Sequence, residues 1–271
     1  MEGATWADRF ELEHDNLRGA FDFALTTPET AGSALKLVNS LWVFWYKRGF
    51  YREMAARMPA ALTATSSQGD TEVRAQGLLA AATAHLIQGD YELACRQFEE
   101  ALRIRREIGT PLPIWNALFN YGNALNLVGN LDAARTCLEE ALKISEGIPK
   151  TVAGSRLNLG ETLALSGEVA EARAHLSAAR EAFRAAKNPA AVAEISDFLG
   201  RLCQREGNLN EAESLYRHAL VTMRENRFVG FGYFVGPYCF AGLSLGRGEF
   251  ERSARLYGAH EALRERLGTP R

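Results

Sequence analysis

The chain has 271 residues, of which 47% are hydrophobic, 24% charged and 10% aromatic, as in an ordinary folded protein. Its formal net charge is −2 and it contains no block of lysine and arginine, which argues against direct binding to nucleic acid or to an anionic membrane surface. No apolar run approaches the roughly 20 residues of a membrane-spanning helix, and residues 1–4 lack the basic segment that begins a signal peptide, so we expect a cytoplasmic protein.

The first predicted element is a leading helix over residues 8–25. Its apolar residues recur at helical rather than alternating spacing and are Phe10, Leu12, Leu17, Phe21 and Leu25. Pro28 ends it, because a proline disfavours the helical conformation of the residue before it. We assign residues 1–28 to this leading segment. Two helices follow, over residues 34–48 and 51–64, and residues 65–70 form the most linker-like stretch of the chain.

One sequence pattern then repeats along the chain. It is clearest as Gly-Asp-Tyr-Glu-Leu-Ala at residues 89–94, followed by Ala-Leu at residues 101–102. Good copies begin at Gly129, Gly167 and Gly207, and weaker copies at Gly49 and Gly248, so these anchor glycines are 38 to 41 residues apart. A fixed period of this length predicts a solenoid of repeated supersecondary units.

Each repeat is predicted to contain two antiparallel helices. The anchor glycine follows an apolar helical run and suits the left-handed residue that closes a helix, while Asp90, Asn130 or Asn208 can cap the next one. Prolines at the other joints, such as Pro111, suit the first position of a new helix. Residues 228–240 are aromatic and interrupted by glycine and proline, and there we expect an irregular final helix.

The register of small and large residues supports this arrangement. Small residues stand seven residues before, five after and twelve after most anchor glycines, as at Gly200, Ala212 and Ala219. Closely crossing helices leave no room for larger side chains at such positions. Nine after each glycine stands a bulky residue, and this series is Met58, Phe98, Leu138, Leu176, Tyr216 and Tyr257.

This pattern resembles the tetratricopeptide repeat, stretched beyond its usual 34 residues. The resemblance implies an all-α, right-handed superhelical solenoid of about six antiparallel helix pairs over residues 29–268, after the leading helix and before a short tail at residues 269–271. Residues 9–18, 41–49 and 254–264 also resemble the ends of the tetratricopeptide region in large bacterial signal-transducing ATPases and transcriptional regulators.

The second resemblance implies a role in signalling, next to an ATPase module and a DNA-binding or cyclase domain. The chain has no GxxxxGK[ST] phosphate loop and no basic recognition helix, so those activities would belong to a partner or to another part of a longer chain. It also lacks GxSxG and HExxH motifs, and we expect no enzyme activity. Its four cysteines form no CxxC pair and stand near no histidine at ligand spacing, so we expect free thiols, no metal and no cofactor.

The resemblance also implies a binding groove lined by the first helix of each pair. The family's groove positions, 13, 10, 6 and 3 residues before each anchor glycine, fall here on Asn116, Phe119, Asn123, Asn126, Leu157, Glu161, Glu194, Asp197, Arg201 and Gln204, with Asn120 and Asn158 one position further round. Of these, only Arg201 suits the carboxylate clamp of chaperone-binding repeats, which argues against a chaperone tail as the ligand.

Four asparagines within eleven residues of one helix are unusual, because each costs roughly 0.5 kcal/mol of helix propensity relative to alanine. Amides donate and accept together, so this stripe suits a peptide backbone or sugar hydroxyls, with Tyr46, Phe119 and Tyr238 as stacking surfaces. The ordinary interpretation is that the asparagines solvate a wide groove or bond across neighbouring helices.

Two hypotheses follow. In the first, the chain is a non-catalytic interaction and sensing module that binds a protein, a peptide or a small effector in its groove. In the alternative, it is an assembly scaffold that self-associates through its end repeats, with Tyr233 and Phe234 at the contact.

Overall fold

The computed structural model describes residues 6–48, 50–66, 69, 71–225 and 231–267, and these residues form helices and short connections without a β-strand. The chain divides into two compact units, unit 1 at residues 1–129 and unit 2 at residues 130–271. The helices of unit 1 are α1 (Trp6–Leu12), α2 (His14–Ala24), α3 (Pro28–Arg48), α4 (Tyr51–Ala64), α5 (Glu72–Gln88), α6 (Tyr91–Ile108) and α7 (Pro111–Leu127). Those of unit 2 are α8 (Leu131–Ile144), α9 (Pro149–Ser166), α10 (Val169–Ala185), α11 (Pro189–Arg205), α12 (Leu209–Glu225), α13 (Phe231–Gly246) and α14 (Phe250–Leu267).

The leading segment is two helices rather than the single helix expected from its periodicity. α1 and α2 meet at Glu13, and His14, the first residue of α2, is buried. The imidazole Nε2 of His14 lies 3.1 Å from the indole Nε1 of Trp45 and 3.1 Å from Oε2 of Glu53. These contacts attach α2 to α3 and α4, so the leading segment lies against the first helix pair.

The joints between helices follow the predicted local chemistry. Gly89 closes α5 with φ of 82°, and the other anchor glycines from Gly129 to Gly248 also have positive φ, while Gly49 lies outside the described residues. At the next helix, the side chain of Asp90 accepts a hydrogen bond from the backbone N–H of Leu93 at 3.3 Å. Helices α7, α9 and α11 each begin with a proline in the first turn.

The core of each pair lies at the predicted small and bulky positions. The alanines five and twelve residues after the anchor glycines, such as Ala94, are fully buried in most repeats. In unit 2 a Cβ added at Gly200 would lie 2.5 Å from Cε1 of Tyr216, and one at Gly160 would lie 2.8 Å from Cγ of Leu176. The two helices of a pair therefore approach as closely as a glycine allows.

First helices of neighbouring pairs contact each other within each unit. In unit 1, α3 contacts α5 and α5 contacts α7, and in unit 2, α11 contacts both α9 and α13. The first helices thus form one face of each unit, which we call the first-helix face. This face carries the sequence-predicted groove positions.

The glycine- and proline-interrupted segment near the end is more regular than expected. α13 runs from Phe231 to Gly246 with Pro237 inside it. Gly236 accommodates the helix crossing, since a Cβ there would lie 2.8 Å from Cδ2 of Leu220 on α12. Residues 226–230 and 268–271, and the side chains of Tyr46, Tyr233 and Phe234, lie outside the described part of the structure.

Candidate ligand-binding face

The asparagines of α7 do not form a uniform stripe. Oδ1 of Asn116 accepts a hydrogen bond from the guanidinium of Arg105 at 2.9 Å, and Nδ2 of Asn120 donates to the backbone oxygen of Asn116 at 2.7 Å. Asn123 is exposed, whereas Asn126 is only 8% exposed. The ring centroids of Phe119 and Trp115, on the same helix, lie 5.3 Å apart.

Arg105, which the groove positions did not include, organises this part of unit 1. It lies on α6 and is 2% exposed. Its guanidinium connects α6 with α7 and α5. On α7, NH1 donates to the backbone oxygen of Pro113 at 3.0 Å and to Asn116. NH2 donates to Oε1 of Glu72 at 2.7 Å and to Oε1 of Gln76 at 2.8 Å, while the buried Nε has no hydrogen-bond partner.

A register comparison could have found Arg105. It stands 16 residues after its anchor glycine, and the equivalent residues of the other repeats are Thr65, Ser145, Phe183, Met223 and, in the last repeat, Arg264, whose side chain lies outside the described residues. Thr65, Ser145 and Phe183 are buried. A charged residue at a position that is otherwise interior is a signal of an internal polar network.

A cavity of about 430 Å³ opens beside Arg105 on the first-helix face of unit 1. Its walls come from α3, α5, α6 and α7, and the lining residues are Trp42, Gln76, Leu79, Ala80, Thr83, Arg105, Leu112, Pro113, Asn116 and Asn120. Asn116 and Asn120 were predicted from the sequence as groove residues. The others were not.

In unit 2 the predicted residues of α9 and α11 form a charged cluster, which we call the Arg201 cluster: Glu161, Glu194, Asp197 and Arg201. Arg201 forms an ion pair with Asp197 at 2.9 Å, and its guanidinium carbon lies 4.4 Å from the ring centroid of Phe198. Burial raises the pKa of Glu161 to about 7; the charge of Arg201 opposes this rise, and the carboxylates of Glu194 and Asp197 add to it. Glu194 is exposed at the surface, yet the surrounding protein partly desolvates its carboxylate, and this desolvation and then the charge of Asp197 raise its pKa.

A second polar network lies beside the Arg201 cluster. The hydroxyl of Tyr216 donates to Oε1 of Gln204 at 3.0 Å, and the thiol of Cys239 donates to Oδ1 of Asp197 at 3.0 Å. Burial is the main cause that raises the pKa of both the Tyr216 hydroxyl and the Cys239 thiol, so both groups stay protonated donors at neutral pH. A cavity of about 190 Å³ adjoins this network and is also lined by Tyr238, which is 48% exposed.

Two predicted positions of α9 lie inside the helix packing instead of on an open surface. Leu157 is 7% exposed and Asn158 is 5% exposed. Nδ2 of Asn158 is buried without a hydrogen-bond partner. Glu161, one helical turn further along α9, is half-buried and interacts electrostatically with the other members of the Arg201 cluster.

The described residues contain no group of three histidine, cysteine or acidic side chains that could hold a metal ion. The four cysteines are free. Within the described part of the chain, no helix combines the length and the apolar character needed to cross a membrane.

Antiparallel helix pairs whose first helices share one face define an all-α helical-repeat protein, a class of interaction scaffolds. The family model of the tetratricopeptide repeat matches residues 73–147 and 151–225, more than half of the chain. The chain therefore belongs to the tetratricopeptide repeat family.

No curated protein sequence matches the chain. Among solved structures, a Rap protein complexed with Competence and Sporulation Factor is similar, with a TM-score of 0.73 and 14% identity over 97% of this chain and 81% of that chain. The Rap conjugation gene regulator of plasmid pLS20, in complex with the Phr* peptide, has a TM-score of 0.66 and 16% identity over 88% and 65%. BtubC from P. vanneervenii has a TM-score of 0.58 and 17% identity over 91% and 96%. At these identities the similarity shows the fold.

Proposed function

We propose that this chain is a non-catalytic sensing module, the tetratricopeptide region of a bacterial, cytoplasmic regulator of signalling or transcription. It binds a peptide, a protein segment or a small effector on its first-helix face and transmits that binding to an ATPase or DNA-binding module. The observation that carries this proposal is the Arg201 cluster, because its cost to folding is not explained by packing.

An ionised Glu161 is unfavourable where it stands. Its pKa of about 7 means that, near neutral pH, the folded chain holds a carboxylate that would be more stable in water. Glu194 adds a second carboxylate with a raised pKa on the same face, and one arginine accompanies them. Clusters of ionisable groups with perturbed pKa values are typical of functional sites, since stability alone does not favour them.

The ligand class follows from the chemistry of the face. Carboxylates accept hydrogen bonds, while Arg201 and the amide of Gln204 donate them, so the face can satisfy both groups of a peptide backbone. Two of the similar structures are Rap proteins, one complexed with Competence and Sporulation Factor and the other with the Phr* peptide. These relatives support a peptide as the first ligand to test.

A ligand that touches both α9 and α11 would favour one crossing geometry of these helices. In a repeat protein each unit contacts its neighbours, so a change at one crossing is passed to the next pair. This is how the proposed module would report binding to an attached domain.

The test is binding to an array of short peptides that covers all residue types, with Glu194→Gln and Arg201→Ala as the test variants. We expect wild type to bind a restricted set and both variants to lose most of that binding. The matched controls are Glu181→Gln and Arg184→Ala on α10, where both side chains are more than half exposed and pair with each other; these variants should bind as wild type does.

Two results would contradict the proposal. One is equal peptide binding by wild type and both test variants. The other is the absence of peptide binding together with the absence of any adduct by native mass spectrometry of protein purified gently from its host. A concentration-dependent dimer without a ligand would then favour the scaffold alternative.

A further inference from the structure

Helix α2 packs on the first helix pair in the way that a second helix packs on the next pair. His14 on α2 contacts Trp45 on α3, which stands four residues before the anchor glycine Gly49. On the second helix α10, Arg173 lies 3.6 Å from Sγ of Cys203 on α11, which also stands four residues before its anchor glycine. His14 therefore corresponds to Arg173, and this match aligns the rest of α2 with the other second helices.

α2 differs from α10 in what covers its other side. In this alignment Glu13 and Ala20 correspond to Ala172 and Ala179, which are fully buried on α10, where α9 packs as the first helix of the pair. Glu13 and Ala20 are exposed. Among the described residues no helix takes the place of α9 beside α2, because α1 runs on into α2, with the N–H of Glu13 bonded to the backbone oxygen of Arg9 at 3.2 Å.

The uncovered surface has the shape of a helix-packing face. Leu12, Asn16, Ala20 and Phe23 are spaced by four, four and three residues, so they lie on one side of the helical segment. Leu12 is 79% exposed and Phe23 is 70% exposed. Between them, an added Cβ at Gly19 would have no atom within 4 Å. We call these five residues the leading face: two bulky apolar side chains flank small residues, which lets another helix approach closely.

The charges around the leading face are mostly negative. Residues 11–23 contain four acidic residues and one arginine. The side chains of Asp15 and Asp22 are 92% and 68% exposed. Arg18 is already bonded to Asp15 at 2.9 Å and to Glu53 at 2.8 Å. A second copy of this face would bring like charges together, whereas a helix with basic flanks would be attracted to it.

We propose that the leading face binds an amphipathic helix of a partner protein whose apolar stripe is flanked by lysine or arginine. The partner helix takes the place that a first helix occupies in the other pairs. Leu12 and Phe23 contact its apolar stripe, and the acidic residues around them attract its basic flanks. The leading face includes no residue of the first-helix face or of the Arg201 cluster, so this proposal and the proposed function can fail separately.

The probe is a synthetic peptide of about 18 residues, long enough to form a helix, with leucine and alanine on one side and lysine along both edges. A second peptide carries glutamate in place of lysine. Each labelled peptide is titrated with the full chain by fluorescence anisotropy, and ¹H–¹⁵N NMR follows the backbone amide of Gly19. We expect the lysine peptide to bind and to shift the Gly19 signal, and the glutamate peptide to bind about tenfold more weakly or worse.

The test variant is Phe23→Ser, which removes an exposed apolar contact and leaves the core unchanged. We expect it to weaken binding of the lysine peptide by about tenfold. The matched control is Phe250→Ser on α14, since Phe250 is also 70% exposed. This control should bind the lysine peptide as wild type does.

Four results would overturn the proposal. The first three are equal binding of the two peptides, wild-type binding by Phe23→Ser, and no shift of the Gly19 signal by the lysine peptide. The fourth is a dimer in analytical ultracentrifugation that Phe23→Ser abolishes, because it would assign the leading face to a second copy of this chain.

Discussion

At the scale of single residues, the charged groups of the first-helix face are the least expected part of the molecule. Glu161 stands on α9 with Arg201, Glu194 and Asp197 around it. Burial raises its pKa to about 7 from an ordinary value of 4.5, despite the opposing charge of Arg201. Between these two pH values the folded protein holds a proton that the unfolded chain has released.

This difference gives a pH-dependent prediction for Glu161→Gln. Wild-type stability should fall as pH rises from about 4.5 to 7, since the folded state binds more protons in that window. The variant has no such proton. Its free energy of unfolding should exceed that of wild type by on the order of 1–2 kcal/mol at pH 8, after allowance for solvent screening, and by little at pH 4. Urea unfolding at several pH values measures this, and parallel stability curves for the two proteins would refute it.

The register placed Glu161, Glu194 and Arg201 on one face, but it could not predict the pKa or the burial. Those properties depend on which helices surround each side chain, and a pattern along one helix carries no such information. The register marks Arg105 as a charged residue at an interior position, but it could not predict its acceptors, which come from α5 and α7 and are up to 33 residues away in sequence.

At the scale of helices, the elements with local signals were predicted well. Positive-φ glycines close helices, Asp90 caps α6, and prolines begin α7, α9 and α11. The break between α1 and α2 and the regular helix through Pro237 were not predicted. For α13, close packing of Gly236 against Leu220 of α12 accompanies the helix through Pro237, so tertiary contacts outweigh the local preference of the residues there.

The close approach of α11 and α12 gives a prediction for Gly200→Ala. The new methyl group would lie 2.5 Å from Cε1 of Tyr216, which is 2% exposed and held by Gln204, so the ring cannot move aside easily. We expect a loss of about 1–3 kcal/mol in the free energy of unfolding. The control Gly19→Ala lies on α2, where no atom stands within 4 Å of the added Cβ. It should be neutral or stabilising by about 0.5–1 kcal/mol.

Urea unfolding monitored by circular dichroism distinguishes the two variants. If Gly200→Ala were as stable as Gly19→Ala, the close contact between α11 and Tyr216 would not exist in solution.

At the scale of the whole molecule, the two compact units each contain their own helix pairs. All four tryptophans, at positions 6, 42, 45 and 115, belong to unit 1. Tryptophan emission therefore reports on unit 1, while far-ultraviolet circular dichroism reports on the helices of both units. The partition of the chain into a leading helix, one solenoid over residues 29–268 and a tail remains a prediction.

This distribution of tryptophans tests whether the units unfold independently. Repeat proteins are stabilised mainly by neighbouring contacts, so a defect in α11 should weaken unit 2 first. In Gly200→Ala we expect the dichroism transition to broaden and begin at lower urea, while the tryptophan transition keeps its wild-type midpoint. A joint shift of both transitions would mean that the chain unfolds as one cooperative body.

The hydrogen bonds of Arg105 also impose an order on the folding of a chain that is still being synthesised. Two of its acceptors, Pro113 and Asn116, lie on α7, which leaves the ribosome after α6. Before then NH1 of Arg105 can bond only to water, whereas NH2 already has its acceptors Glu72 and Gln76 on α5. We therefore expect the α5–α6 pair of a nascent chain to form first and to bury Arg105 only when α7 emerges. Where Thr65 or Ser145 occupies the equivalent position, the hydroxyl bonds within its own helix and imposes no such delay.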